Sequence, residues 1–258
     1  MDLGIKGKKA IICASSRGLG KGCAVALAKE GVELTINGRN EETTNATADE
    51  LKALGAKVSI VLGDVSDAAI QEELLAACPS PDILINNNGG PALRDFRQLD
   101  RQAILDGVTQ NMVTPIELIQ KVIDGMVERQ FGRIVNITSL SVYAPILGLD
   151  LSSGARAGLT AFLAGIARSV ADSNVTINNL LPGKFDTDRI RNTLAFAAEK
   201  KGLELEVETK NAEKLIPAGR FGTTEEFGST AAFMCSVQAG YLTGQNIILD
   251  GGSYASAF

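Results

Sequence analysis

Residues 9–20, KAIICASSRGLG, decide the fold. The stretch opens as a short apolar run over residues 9–14, the pattern of a strand covered on both faces. It continues through Ala14, Ser15, Ser16 and Arg17 to Gly18, Leu19 and Gly20, and becomes helical over residues 18–30, where Leu19, Cys23 and Leu27 line one face. A strand that passes through glycines straight into a helix lets backbone approach a pyrophosphate, which then sits on the helix N-terminus. Glycine also serves ordinary tight turns, so the pattern alone is weak. Its place after the first strand of a β-α-β unit makes it strong.

The alternation continues outward. Residues 32–37, 58–62, 83–86, 133–138, 175–180 and 247–249 read as further strands, and residues 41–54, 67–77, 100–129, 154–170 and 223–235 as helices. Thr223 or Thr224 with Glu226 nearby signals a helix start. Pro182-Gly183 is expected to stop the pairing of the sixth strand. The charged stretch 188–214 is helical in character and lacks a strand, which makes it an inserted lid at about residues 186–216. No linker or repeat divides residues 1–258. The expected fold is α/β: a single-domain Rossmann fold, with a doubly wound parallel seven-stranded sheet and helices on both faces.

Composition narrows the chemistry. The 258 residues carry 25 Lys and Arg against 30 Asp and Glu, a net charge of −5 without long blocks of either sign, and nothing here favours nucleic acid. Histidine is absent, which removes Ser–His–Asp hydrolysis and His-based zinc chemistry. Cys13, Cys23, Cys78 and Cys235 form no C-x-x-C pair and read as small buried hydrophobes in a reducing compartment, so no metal site is expected. No run of 18 apolar residues marks a membrane span, and a cytoplasmic protein is expected. Tyr143, Tyr241 and Tyr254 are the only tyrosines.

The segment Ala14–Gly20 resembles the T-G-x-x-x-G-x-G fingerprint of the short-chain dehydrogenase/reductase family, and further landmarks follow in order. Asp64-Val65 stands where that family closes its third strand and contacts adenine. Asn86-Asn87-Asn88-Gly89 resembles its N-N-A-G turn. Asn111 occupies the place of its catalytic Asn, and Ser139, after RIVNIT, that of its active-site Ser. Pro182, Gly183, Phe185 and Thr187 lie in a segment similar to its P-G-x-x-x-T, which meets the nicotinamide. The tail from Ile216 to Gly252 resembles that of 3-oxoacyl-carrier-protein reductases, so the likeness spans essentially the whole chain. It implies a homotetramer built on the helices at 100–129 and 154–170. Ala14 replaces the first Gly, which is tolerable if its φ is negative, and Asn88 replaces the Ala of N-N-A-G.

Charge bears on the cofactor. A carboxylate ending the second strand would accept from a ribose 2′-hydroxyl and repel a 2′-phosphate. That place holds Asn37-Gly38-Arg39-Asn40. Arg39 and Arg17 are either a forked clamp on a phosphate or solvated surface charges; the first reading favours NADP(H) over NAD(H).

In the family a Tyr-x-x-x-Lys pair follows the Ser by thirteen residues, on one face of the next helix. The resemblance places Ser152 and Arg156 there, and Ala157-Gly158-Leu159 is similar to the family's continuation. A Ser hydroxyl is a weaker and shorter acid than a phenol, and Arg is no proton relay. Tyr143, four residues after Ser139, stands as a pocket wall, a structural ring or a relocated acid. Two functions follow: an NADP(H)-dependent oxidoreductase acting on a small-molecule carbonyl or hydroxyl substrate, 3-oxoacyl-like, or a catalytically silent nucleotide-binding protein.

Overall fold

The computed structural model describes residues 2–91 and 93–256. Its strands are β1 (Lys9–Ile12), β2 (Glu33–Gly38), β3 (Val58–Leu62), β4 (Ile83–Asn86), β5 (Gly132–Ile137), β6 (Val175–Pro182) and β7 (Asn246–Leu249). They pair in parallel in the order β3-β2-β1-β4-β5-β6-β7. The helices are α1 (Gly18–Lys29), α2 (Glu41–Ala53), α3 (Ala68–Ala77), α4 (Arg101–Val108), α5 (Thr114–Glu128), α6 (Asp150–Ser169), α7 (Asp188–Lys201), α8 (Leu205–Lys214) and α9 (Thr224–Met234). No helix among the described residues is long and apolar enough to cross a membrane.

Alternate strand residues feed two cores, because successive side chains leave a strand on opposite faces. Ile12, Ile36, Ile85 and Val135 pack with Leu27 of α1, Leu51 of α2 and Phe227 of α9. Ile11, Leu84, Ile134 and Ile177 pack with Leu74 of α3, Val122 of α5 and Leu163 of α6. Burial on both faces explains why each run reads as continuously apolar. The order reverses direction at β1 and β4, and in open parallel sheets that switch point opens the ligand crevice beyond the strand ends.

Within the layer on one face of the sheet, α1 lies directly against α9. A Cβ on Gly22 would stand 2.3 Å from the Thr224 carbonyl oxygen, and one on Gly228 would stand 2.2 Å from that of Gly22. The two helices touch backbone to backbone. Thr223 and Glu226 close the capping box that starts α9, as the sequence suggested.

Four boundaries differ from the sequence reading. The helix expected at 100–129 is α4, a wide π-turn over Thr109–Val113, and α5; Pro115 in the first turn of α5 has no N–H for a continuous ladder. The next helix starts at Asp150 rather than at residue 154, which puts Ser152 in its first turn. The excursion at 188–214 is two helices, since Lys201 is followed by Gly202 at φ 64°. Pro182 continues β6 in register with Leu249 instead of ending it. That costs no ladder bond on the other side, because β5 ends opposite Leu180.

Candidate active site

The N-terminus of α1 carries neither a side-chain cap nor an acid in its first turn. Asn40, Asp67, Asp100 and Thr223 each cap a helix with a side-chain oxygen, whereas Arg17 at the start of α1 provides none and no acid stands in the first turn. The first-turn amides therefore keep their donors for a ligand. A Cβ on Gly20 would meet the Ala14 carbonyl oxygen at 2.5 Å and Asn87 Nδ2 at 2.8 Å, so only glycine fits this turn. Ala14 lies at φ 44°, so the condition under which its methyl is tolerable is not met and the methyl strains the turn. Ala14→Gly should raise Tm by about 2–4 °C, corresponding to about 1 kcal/mol released, as read by thermal unfolding.

Polar side chains bring the other segments to this loop. Asn37 Oδ1 accepts from the Ala14 amide at 3.1 Å, and Asn87 Nδ2 donates to the Ala14 carbonyl at 3.0 Å. The Ser15 hydroxyl is buried and donates to the Ile12 carbonyl at 2.7 Å, so it shapes the loop rather than facing a ligand. Asn88 Nδ2 donates to Ser66 Oγ (2.9 Å) and to the Gln110 carbonyl (3.2 Å). Thr187 reaches the loop from the far side, its Cγ2 standing 3.8 Å from where a Gly18 Cβ would be.

Some expected site residues are placed otherwise. β3 ends at Leu62, so Asp64-Val65 follows the strand instead of closing it. Val65 is in the core, and Asp64 forms an exposed 3.5 Å ion pair with Arg39. Phe185, counted with the cofactor residues, turns its ring into the core edge-on to Phe227 at 5.3 Å. The apolar side chains of the excursion at 188–214 are split: Leu194 is buried with Ile216 and Phe221, while Phe196 and Leu203 are exposed.

The catalytic candidates gather at the end of β5. Ser139 follows the strand, and its Oγ accepts from the Ser141 amide at 3.1 Å, which leaves its own O–H available. Arg156, 7% exposed, donates from Nε to Ser152 Oγ at 3.2 Å and from Nη1 to the Ile137 carbonyl at 2.6 Å. These two bonds hold Ser152 and Arg156 against the strand that carries Ser139. Burial, with the charge of Arg189 adding to it, lowers the Arg156 guanidinium to about 10, so it stays cationic at neutral pH. Asn111 sits in the π-turn and donates to the Gly107 carbonyl at 3.1 Å. It lines a narrow cleft with Asn86, Asn136 and Arg156. The side-chain oxygens of Asn86 and Asn111 are buried there with no partner among the described residues, which suits a bound water.

Residues 13–254 match the family model for enoyl-(acyl carrier protein) reductase. The chain is a member of the short-chain dehydrogenase/reductase family. The NADPH-dependent reductase BacG of Bacillus subtilis is 31% identical over 255 residues, covering 96% of this chain and 98% of its own. The 3-oxoacyl-[acyl-carrier-protein] reductase FabG of Aquifex aeolicus is 32% identical over 263 residues, covering 98% and 100%. The L-sorbose reductase of Gluconobacter frateurii, solved with NADPH and L-sorbose, superposes with a TM-score of 0.93 at 26% identity, over 99% of this chain and 100% of that one.

Two features of this short-chain dehydrogenase/reductase escaped the sequence reading. One is Arg189, in the first turn of α7. A Cβ on Gly90 would lie 3.0 Å from its Nη1 and 3.6 Å from Ser152 Oγ. Nothing in the local sequence marks it. The other is a row of amides across four strands: Asn86 Nδ2 donates to Asn136 Oδ1 (2.9 Å), Asn136 to Asn179 (3.1 Å) and Asn179 to Asn246 (2.8 Å). Asn246 Nδ2 then donates to the Tyr143 hydroxyl at 2.8 Å, and the Tyr143 ring stacks on Tyr254 at 5.7 Å. Tyr143 is 41% exposed and its oxygen is engaged at β7. The row's signal, one Asn in each of four paired strands, is visible only once the register is known.

Proposed function

We propose that this chain is an NADP(H)-dependent oxidoreductase that interconverts a carbonyl group and a secondary alcohol in a small-molecule substrate, with Ser152 and Arg156 in place of the family's Tyr and Lys. The observation that carries this reading is the buried Arg156–Ser152 pair, fastened to the end of β5 beside Ser139. When bound, the cofactor supplies or accepts the hydride. The uncapped N-terminus of α1, with Gly18 and Gly20, takes the diphosphate. Arg39 and Arg17 take the 2′-phosphate. Arg39 gives up little in turning from Asp64, because its side chain is 70% exposed and such a pair is weak.

In the reducing direction, Ser139 and Ser152 direct their hydroxyl protons at the carbonyl oxygen. Arg156 donates into Ser152 Oγ and places a cation beside the charge that grows on that oxygen. The proton the new alkoxide takes comes from Ser152 and is replaced from solvent. This chemistry depends on electrostatic stabilisation rather than on a phenolic acid. Tyr143, with its oxygen engaged by Asn246, is a wall of the substrate side in this reading. A 3-oxoacyl-like compound is the first substrate to test, in view of the reductases to which the chain is similar.

The test is a fluorescence titration with NADPH and NADH, followed by turnover of a carbonyl panel. NADPH should bind more tightly than NADH, and Arg39→Asp should shift the ratio toward NADH by about 10–100-fold, the scale of charge-assisted contacts to one phosphate. An unchanged ratio sinks the clamp. Binding without any turnover would identify a silent nucleotide-binding protein, and no binding of either cofactor at millimolar concentration overturns both readings.

A further inference from the structure

We infer that the substrate of this enzyme carries a carboxylate beside its reacting carbonyl, and that Arg189 receives that carboxylate; the inference rests on the oxidoreductase reading above and narrows it to oxo acids and their hydroxy acids. Two guanidinium groups approach Ser152. Arg156 donates to its Oγ at 3.2 Å from inside the fold. Arg189 comes from α7, and from the point where a Gly90 Cβ would stand its Nη1 is 3.0 Å, its Nη2 3.4 Å and Ser152 Oγ 3.6 Å away. Gly90 puts no side chain between the lid arginine and the serine, where a Cβ would already press on Arg189 Nη1.

No ion pair among the described residues includes Arg156 or Arg189. The acids nearest in sequence to Arg189 are engaged elsewhere, since Asp186 and Asp188 both pair with Arg191, at 2.8 Å and 3.4 Å. Among the described residues, the one hydrogen bond of the Arg189 side chain is a 3.4 Å contact from Nη2 to the Pro91 carbonyl. Burial lowers the Arg156 guanidinium and the charge of Arg189 adds to it, so the exposed Arg189 stands close enough to the buried Arg156 for the two like charges to repel. An anion placed between them relieves that repulsion, and the planar fork of Arg matches a carboxylate with two parallel donors. The diphosphate of the cofactor is served from a different stretch, because Thr187 faces Gly18 whereas Arg189 faces Gly90 and Ser152. The anion at Arg189 therefore belongs to the substrate.

The test measures NADPH oxidation with 2-oxo and 3-oxo acids, each beside its methyl ester. The parent should favour the acid by about 10–100-fold in kcat/KM, the scale of a charge-assisted hydrogen-bonded pair. Arg189→Gln should reduce that preference to about threefold or less, with Arg189→Lys in between. Equal use of acid and ester by the parent, or a preference that survives in Arg189→Gln, overturns the assignment. So does a loss of NADPH affinity in Arg189→Gln that matches the loss of rate, because Arg189 would then serve the cofactor. If no compound is turned over, calorimetric titration of the NADP-loaded protein with oxamate decides. Binding that disappears in Arg189→Gln keeps the anion site and sinks the oxidoreductase reading, whereas no binding sinks the anion site.

Discussion

Arg156→Leu lowers kcat/KM by about 10²–10³-fold and leaves Tm within a few degrees of the parent. The rate effect is the usual magnitude for removing one preorganised donor from a developing oxyanion. It is expected here because Arg156 reaches the carbonyl oxygen through Ser152 Oγ, 3.2 Å from its Nε. The small change in stability follows from two opposing terms. Burial brings the guanidinium down to about 10, which corresponds to about 3 kcal/mol charged against the fold at neutral pH. Leucine removes that penalty. It also strands the Ile137 carbonyl, which accepts from Nη1 at 2.6 Å, and an unsatisfied buried acceptor costs about 1–3 kcal/mol. Steady-state kinetics and thermal unfolding on one preparation check the pair of outcomes. A variant that loses activity and stability together would make Arg156 a structural residue.

Gly228→Ala is the larger effect on the fold. The added methyl would lie 2.2 Å from the Gly22 carbonyl oxygen and 2.6 Å from its carbonyl carbon, both backbone atoms that no rotamer can move. The helices must separate. Overpacking of this kind costs about 3 kcal/mol, which lowers Tm by about 6–12 °C. Since α1 begins at the glycine loop, NADPH affinity should fall as well. Gly165→Ala is the matched control: it lies in α6 with nothing within 4 Å of an added Cβ, and helix propensity alone should stabilise it by about 0.5–1 kcal/mol. Equal Tm values for the two variants would contradict close α1–α9 contact.

All seven strands were legible because burial on both faces writes itself as short runs of Ile, Val and Leu, and the glycine loop because a strand-to-helix turn against backbone admits few other residues. Helix ends were read less well where the signal is weak or was outweighed. The start of α6 at Leu149 has no capping side chain, so the sequence offers nothing to find. Pro115 and Gly202 were visible breaks, outweighed by the helical periodicity around them. At the site, Ser139, Ser152, Arg156 and Asn111 could be found because the family motifs that they resemble are local in sequence. Arg189 acquires meaning only when α7 folds over Gly90, 99 positions earlier in the chain. The strain at Ala14 is likewise a property of a dihedral angle, which composition does not encode.

The row of asparagines has a consequence for how the sheet finds its pairing. Apolar strands such as ILIN and GRIVNI offer many near-equivalent alignments, since one aliphatic residue packs about as well as the next. Asn86, Asn136, Asn179 and Asn246 stand opposite one another in only one of them. Sliding any strand by one residue sends its amide to the other face and leaves its neighbours' donors and acceptors buried and unmet. Each wrong alignment thus carries a cumulative penalty that the hydrophobic pattern alone would not impose. The amides make the native pairing distinguishable, and they do so across the same strands whose ends hold the serine and the arginine in place.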